Sequence, residues 1–141
     1  MQYGRIVFLV AALGLLASPL ESFANKSSVK IEAPQVAGKG SEIRIKVHVF
    51  HEGNNFIHYT NWLDIKINDK PVQRWEFSAF KKPEAQDFVR EVTYKITEPI
   101  TIVAQSNCNI HGSTGAATWT VTLAPEEKGQ AHQEEKRGTE P

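Results

Sequence analysis

The fold this sequence predicts is all-β: an immunoglobulin-like antiparallel β-sandwich of about seven strands. Three observations carry that prediction. Apolar and polar residues alternate with period two through most of residues 29–124, the spacing of strands with one buried face. No ten-residue window in that span carries a helical apolar stripe. The alternating runs are short, and Gly, Pro, Asn and Asp fall between them as turn signals.

The first run is VKIEA, 29–33. SEIRIKVHVF, 41–50, sets Ile43, Ile45, Val47 and Val49 on one face and Arg44, Lys46 and His48 on the other. In FIHYTNWLDIKIN, 56–68, the expected apolar side is Ile57, Tyr59, Leu63, Ile65 and Ile67, with His58, Thr60, Trp62 and Asp64 opposite. Asn68-Asp69-Lys70-Pro71 then reads as a turn. VQRWEFSAF (72–80), DFVREVTYKI (87–96), ITIVAQSN (100–107) and ATWTVTLA (117–124) complete the set. Pro83 and Pro99 fall between runs, where a missing N–H breaks no ladder.

The two ends have a different character. Arg5 precedes the apolar run Ile6–Leu16, and Ser22-Phe23-Ala24 offers small residues where a signal peptidase reads. Residues 1–24 are therefore expected to be a secretory signal, which makes the protein periplasmic or secreted, with no membrane attachment after cleavage. The tail, PEEKGQAHQEEKRGTEP (125–141), has no aliphatic or aromatic side chain larger than alanine and is expected to be disordered; His132 lies in it. This leaves 25–124 as one domain. Cleavage removes Arg5 from 16 basic residues and Glu21 from 16 acidic ones, so the mature chain stays formally neutral. It has no basic excess for nucleic acid or anionic lipid.

The chain has one cysteine, Cys108, so an internal disulfide is impossible. In an oxidising compartment a lone thiol is buried, paired with another chain or bound to metal. His111 follows in C-x-x-H spacing, where one short loop can offer both side chains to one ion. His51 and His58 flank EGNNFI, and Gly53-Asn54-Asn55 reads as the turn of a hairpin that brings them together. A thiolate with several imidazoles suits iron, copper or zinc rather than magnesium or calcium. Each residue also has a plain structural reading. Cys108 can be a small buried hydrophobe, His58 a polar-face neighbour of Trp62, and His111 a turn residue before Gly112. No hydrolase triad and no phosphate-binding glycine loop is present.

CNIHG (108–112) with HEGNNFIHYTNW (51–62) upstream resembles the superoxide reductase (neelaredoxin) family and the iron-binding domain of desulfoferrodoxin. The resemblance covers about residues 26–124. That family's upstream pattern is roughly H-P-x-x-x-x-H-Y-I-x-W, so this chain is one residue longer between the histidines and lacks the proline. The resemblance implies a mononuclear non-haem iron with four equatorial histidines, an axial cysteine and an open face where superoxide is reduced by one electron to hydrogen peroxide. It implies Cys108 as axial thiolate, His111, His58 and His51 as equatorial ligands, and Lys26 as the active-site lysine. NKSSVKIE (25–32) aligns with the family's E-K-H-x-P-x-I-E, so Ser27 stands where the fourth histidine is expected. His48, turned inward by a β-bulge, or water are the other candidates for that position.

The resemblance also implies an electron donor, which the sequence does not identify; one cysteine cannot build a four-cysteine iron centre. An unpaired edge strand leaves a homo-oligomer open. The competing reading is a non-catalytic metal-binding or partner-binding sandwich, similar to sulfur-oxidation carrier subunits.

Overall fold

In each long strand one row of branched aliphatic side chains has to find cover, and two sheets facing each other provide it. The computed structural model describes residues 25–126. It contains β1 (Ser28–Glu32), β2 (Val36–Ala37), β3 (Glu42–Phe50), β4 (Thr60–Ile67), β5 (Lys70–Glu76), β6 (Asp87–Lys95), β7 (Ile100–Cys108) and β8 (Ala117–Leu123). One sheet has the order β1-β3-β6 and the other β2-β8-β7-β4-β5. All pairings between these strands are antiparallel except β2 with β8. The alternation therefore identified the fold class correctly. The eighth strand is the two-residue β2, too short to show a period.

The core lies between the sheets. Ile43, Ile45, Val47, Val49 and Phe88 face Leu63, Ile65, Ile67, Ile100, Ile102, Ala104 and Val121, all buried. Each such Val, Leu, Ile or Phe contributes about 1.5–3 kcal/mol relative to an exposed side chain. The turn at Asn68-Asp69 joins β4 to β5 through two residues with φ of 48° and 63°, the left-handed pair that matches strand twist. Pro71 sits on β5, an edge strand, where its missing donor costs little.

Two expectations about residues 51–60 need correction. The segment does not close a hairpin: β3 and β4 belong to different sheets, and the loop between them crosses over one end of the sandwich. Both strands bury one apolar face, and facing each other across the core satisfies both. The strand also begins later than its pattern implies. Ile57 is 78% exposed and precedes β4, whereas Thr60 is fully buried. A register shift between Thr60 and Trp62 inserts Asn61 and resets the alternation, so Thr60 and Leu63 both face inward.

The same end of the sandwich collects the start of β1, the end of β3, the start of β4 and the end of β7. Thr60 pairs with Cys108, and Ser27 bridges to Ser113. The expected signal, residues 1–24, lies outside the described residues, as does nearly all of the expected tail, His132 included.

Candidate metal centre

Cys108 is the last residue of β7 and is 1% exposed. The chain then folds back at once: the Cys108 N–H donates to the Gly112 carbonyl (2.9 Å) and the Gly112 N–H to the Cys108 carbonyl (3.0 Å). Gly112 has φ of +79°, a conformation glycine adopts without a Cβ penalty, as its place after the histidine suggests. Inside this loop the amides of Ile110 and His111 each donate to Sγ at 3.4 Å. Two amide donors aimed at sulfur suit a thiolate.

Three imidazoles converge beside the sulfur. His51 Nε2 lies 3.1 Å from His58 Nε2, and His58 Nε2 lies 3.0 Å from His111 Nδ1. His111 Nδ1 is 3.9 Å from Cys108 Sγ. The rings stand nearly perpendicular in sequence, 83° between His51 and His58 and 83° between His58 and His111. The ligand atoms of His51, His58 and Cys108 all lie within 4.8 Å of one another. Two nitrogens bound at right angles to one transition-metal ion, each about 2.1 Å away, sit about 3.0 Å apart. The two nitrogen–nitrogen spacings fit that arrangement, and the donor set suits a borderline-soft ion. His51 is 2% exposed, His58 is half-buried and His111 faces solvent, so the group opens to one side. The His58 pKa lies below the ordinary imidazole value, first through burial and then through the neighbouring His51 and His111; the Asn25 carbonyl opposes the shift.

The other candidates fall into place around this cluster. Lys26 and His51 both line a cleft of about 370 Å³, together with Glu52, Asp87 and Thr114. Ser27 is fully buried, but its Oγ pairs with Ser106 Oγ at 2.6 Å. It is held by backbone bonds to Gly112 and Thr114, and its hydroxyl is engaged by Ser106. His48 does not turn inward: β3 pairs in unbroken register with β1 and β6, and His48 Nε2 meets Glu32 Oε2 on the outer face at 3.0 Å. Among the described residues, the mutually close donors are His51, His58 and Cys108, and His111 joins them through its contacts with His58 and Cys108.

Sequence reading missed the residues that hold this cluster in place. Gly53 has φ of +129°, and a Cβ there would sit 2.5 Å from His58 Nδ1. Asn55 Oδ1 accepts from the amides of Ile57 and His58, both at 2.9 Å. Asn109 ties the two site loops together. Its Oδ1 accepts from the Tyr59 amide at 2.8 Å and its Nδ2 donates to the Ile57 carbonyl at 2.8 Å. The signal was in plain view, since Gly-Asn-Asn and the Asn of CNIHG are turn formers. Nothing local says that such residues also aim neighbouring side chains.

Comparison with known proteins bears on the family and the fold. Residues 20–116 match the family model described as Desulfoferrodoxin. A 73-residue stretch is 33% identical to the "Putative superoxide reductase" of Methanocaldococcus jannaschii, covering 50% of this chain and 60% of that relative. A superoxide reductase (neelaredoxin) from Ignicoccus hospitalis superposes with a TM-score of 0.60 at 22% identity, over 70% of this chain and 82% of that one. The sulfur carrier protein SoxY of Chlorobium limicola f thiosulfatophilum also shares the fold, with a TM-score of 0.51 at 14% identity, over 69% of this chain and 79% of that one. At these identities the two superpositions speak to fold alone, and the site has to speak to chemistry.

Proposed function

The chain belongs to the desulfoferrodoxin family, and from that premise we propose that it is an exported superoxide reductase-type iron protein. The observation that carries the proposal is the convergence of His51, His58, His111 and Cys108 at one end of the sandwich. A sandwich that serves only as a scaffold has no use for these donors.

In this reading His51 Nε2, His58 Nε2, His111 Nδ1 and Cys108 Sγ would hold a single iron. When bound in the ferrous state, it would supply the one electron that, with two protons, converts superoxide to hydrogen peroxide. The residues around it do the rest. Burial and the neighbouring His51 and His111 lower the His58 pKa, which favours the neutral ring that can offer a lone pair. The amides of Ile110 and His111 hold the sulfur in place. Lys26, the lysine that the family resemblance singles out, lines the adjoining cleft beside Glu52 and Asp87. The exposed side of His111 leaves an approach from solvent. An external donor restores the electron, and export is proposed from residues 1–24.

The test is superoxide consumption by the iron-loaded protein, followed by pulse radiolysis alongside Cys108→Ser. Rapid consumption that Cys108→Ser lacks supports the proposal, and equal rates refute the enzymatic claim. A preparation that takes up no iron, copper or zinc under reducing conditions supports the partner-binding sandwich instead. The export proposal is checked by cell fractionation and by whether the mature chain begins at Asn25.

A further inference from the structure

The loop between β3 and β4 holds an asparagine whose amide can sit only one way round. Asn54 Nδ2 lies 2.7 Å from the Ala85 carbonyl and 3.3 Å from the Gln86 carbonyl, and carbonyls only accept. Asn54 Oδ1 lies 2.8 Å from the Thr60 amide, which only donates. The amide nitrogen and oxygen are thus assigned independently at both ends, with no flip left open. The same Oδ1 lies 3.0 Å from His51 Nδ1. An acceptor at that distance requires a proton on Nδ1, because a bare ring nitrogen would set two lone pairs against each other. Thr60 Oγ1, 3.1 Å from the same nitrogen, can serve as donor or acceptor and so imposes no tautomer.

We propose that Asn54 is a positioning residue that holds His51 in its Nδ1–H tautomer and so presents a bare Nε2 to the site. With Nδ1 protonated, a neutral His51 carries its only lone pair on Nε2, and in the metal-free protein that atom accepts from a protonated His58 Nε2 3.1 Å away. The ring, 2% exposed, is held from behind by a group that is itself tied to a third segment of chain. Asn54 therefore couples the loop 77–86 to the orientation of a donor that it does not itself supply. The tautomer follows from the metal-free geometry, whereas its consequence for metal affinity rests on the proposed function.

Two measurements separate these levels. Long-range ¹⁵N–¹H correlation spectra of the metal-free protein at pH 8 report the tautomer of each histidine, with His51→Gln identifying the ring. The expected result is Nδ1–H at His51 in the native protein and in Thr60→Val, and a shift towards Nε2–H or a mixture in Asn54→Ala. An Nε2–H ring in the native protein overturns the proposal without any variant having to fold. Competition titration of Zn²⁺ against a chelator should show affinity about 10–100-fold lower in Asn54→Ala. Unchanged affinity with a disturbed tautomer overturns the positioning role. A native protein that binds no Zn²⁺ yet shows Nδ1–H at His51 sinks the metal reading and supports the tautomer assignment.

Discussion

Gly53→Ala tests how closely the backbone is built around His58. The added Cβ would meet His58 Nδ1 at 2.5 Å, Cε1 at 3.1 Å and Cγ at 3.4 Å. Ordinary contact begins at about 3.5 Å, so the ring has to retreat by about 1 Å. Retreat is expensive at the other edge, where Nε2 meets His51 at 3.1 Å and His111 at 3.0 Å. The backbone adds its own cost: φ of +129° suits glycine, and an L-residue held there costs about 1–3 kcal/mol. Misplacing one ligand of a cluster this close should weaken metal binding about 10–100-fold, or about 1.4–2.7 kcal/mol. The assay pairs chelator competition for metal affinity with urea denaturation of the metal-free protein. Gly40→Ala is the control, since Gly40 also has positive φ (+83°) but nothing within 4 Å of its Cβ position. It should lose stability and keep its metal affinity. If Gly53→Ala binds metal within twofold of the native protein, the ring is not held by that contact and the reasoning fails.

Further outcomes follow from other contacts. Ser27→Ala should cost about 1–3 kcal/mol, because it strands the buried Ser106 hydroxyl. The double variant Ser27→Ala/Ser106→Ala should recover much of that loss in urea denaturation, because neither hydroxyl is then left unpaired. His48→Ala should leave metal affinity unchanged by the same chelator titration, since His48 meets Glu32 on the outer face of the small sheet. Glu84 and Arg90 form a two-pronged ion pair, at 2.7 and 2.8 Å, that lowers the Glu84 carboxyl from its ordinary value to about 2. Its contribution is therefore complete above about pH 4.5 and is lost as pH falls towards 2. With Glu84 59% exposed, solvent screening keeps that contribution below about 1 kcal/mol. The stability gap between native protein and Glu84→Gln, measured by urea denaturation, should narrow over that window and stay flat above it.

The sandwich was legible because its signal is periodic and repeated: Ile43, Ile45, Val47 and Val49 state one buried face four times over, and each is 5% exposed or less. The partners of that face were not legible. Alternation says that a side chain points inward and is silent on which sheet its strand joins, so the Gly53-Asn54-Asn55 turn reads as a hairpin where the structure has a crossover. The crossover matters for chemistry. A tight hairpin would have placed His51 and His58 on adjacent strands of one sheet. Crossing between sheets carries them over the end of the sandwich, beside the return of β7 into Cys108. The donors themselves were visible as residue types, because imidazole and thiol have few rivals as metal ligands. What aims them was hidden, because asparagine and glycine in a loop read as turn residues whether or not they also brace a neighbouring ring. Asn54, Gly53 and Asn109 each combine the two roles, shaping the backbone of a loop and fixing what that loop presents. Turn chemistry and site chemistry are therefore one structure in this protein. A substitution that merely reshapes the 52–58 loop should register first as lost metal affinity and only then as lost stability.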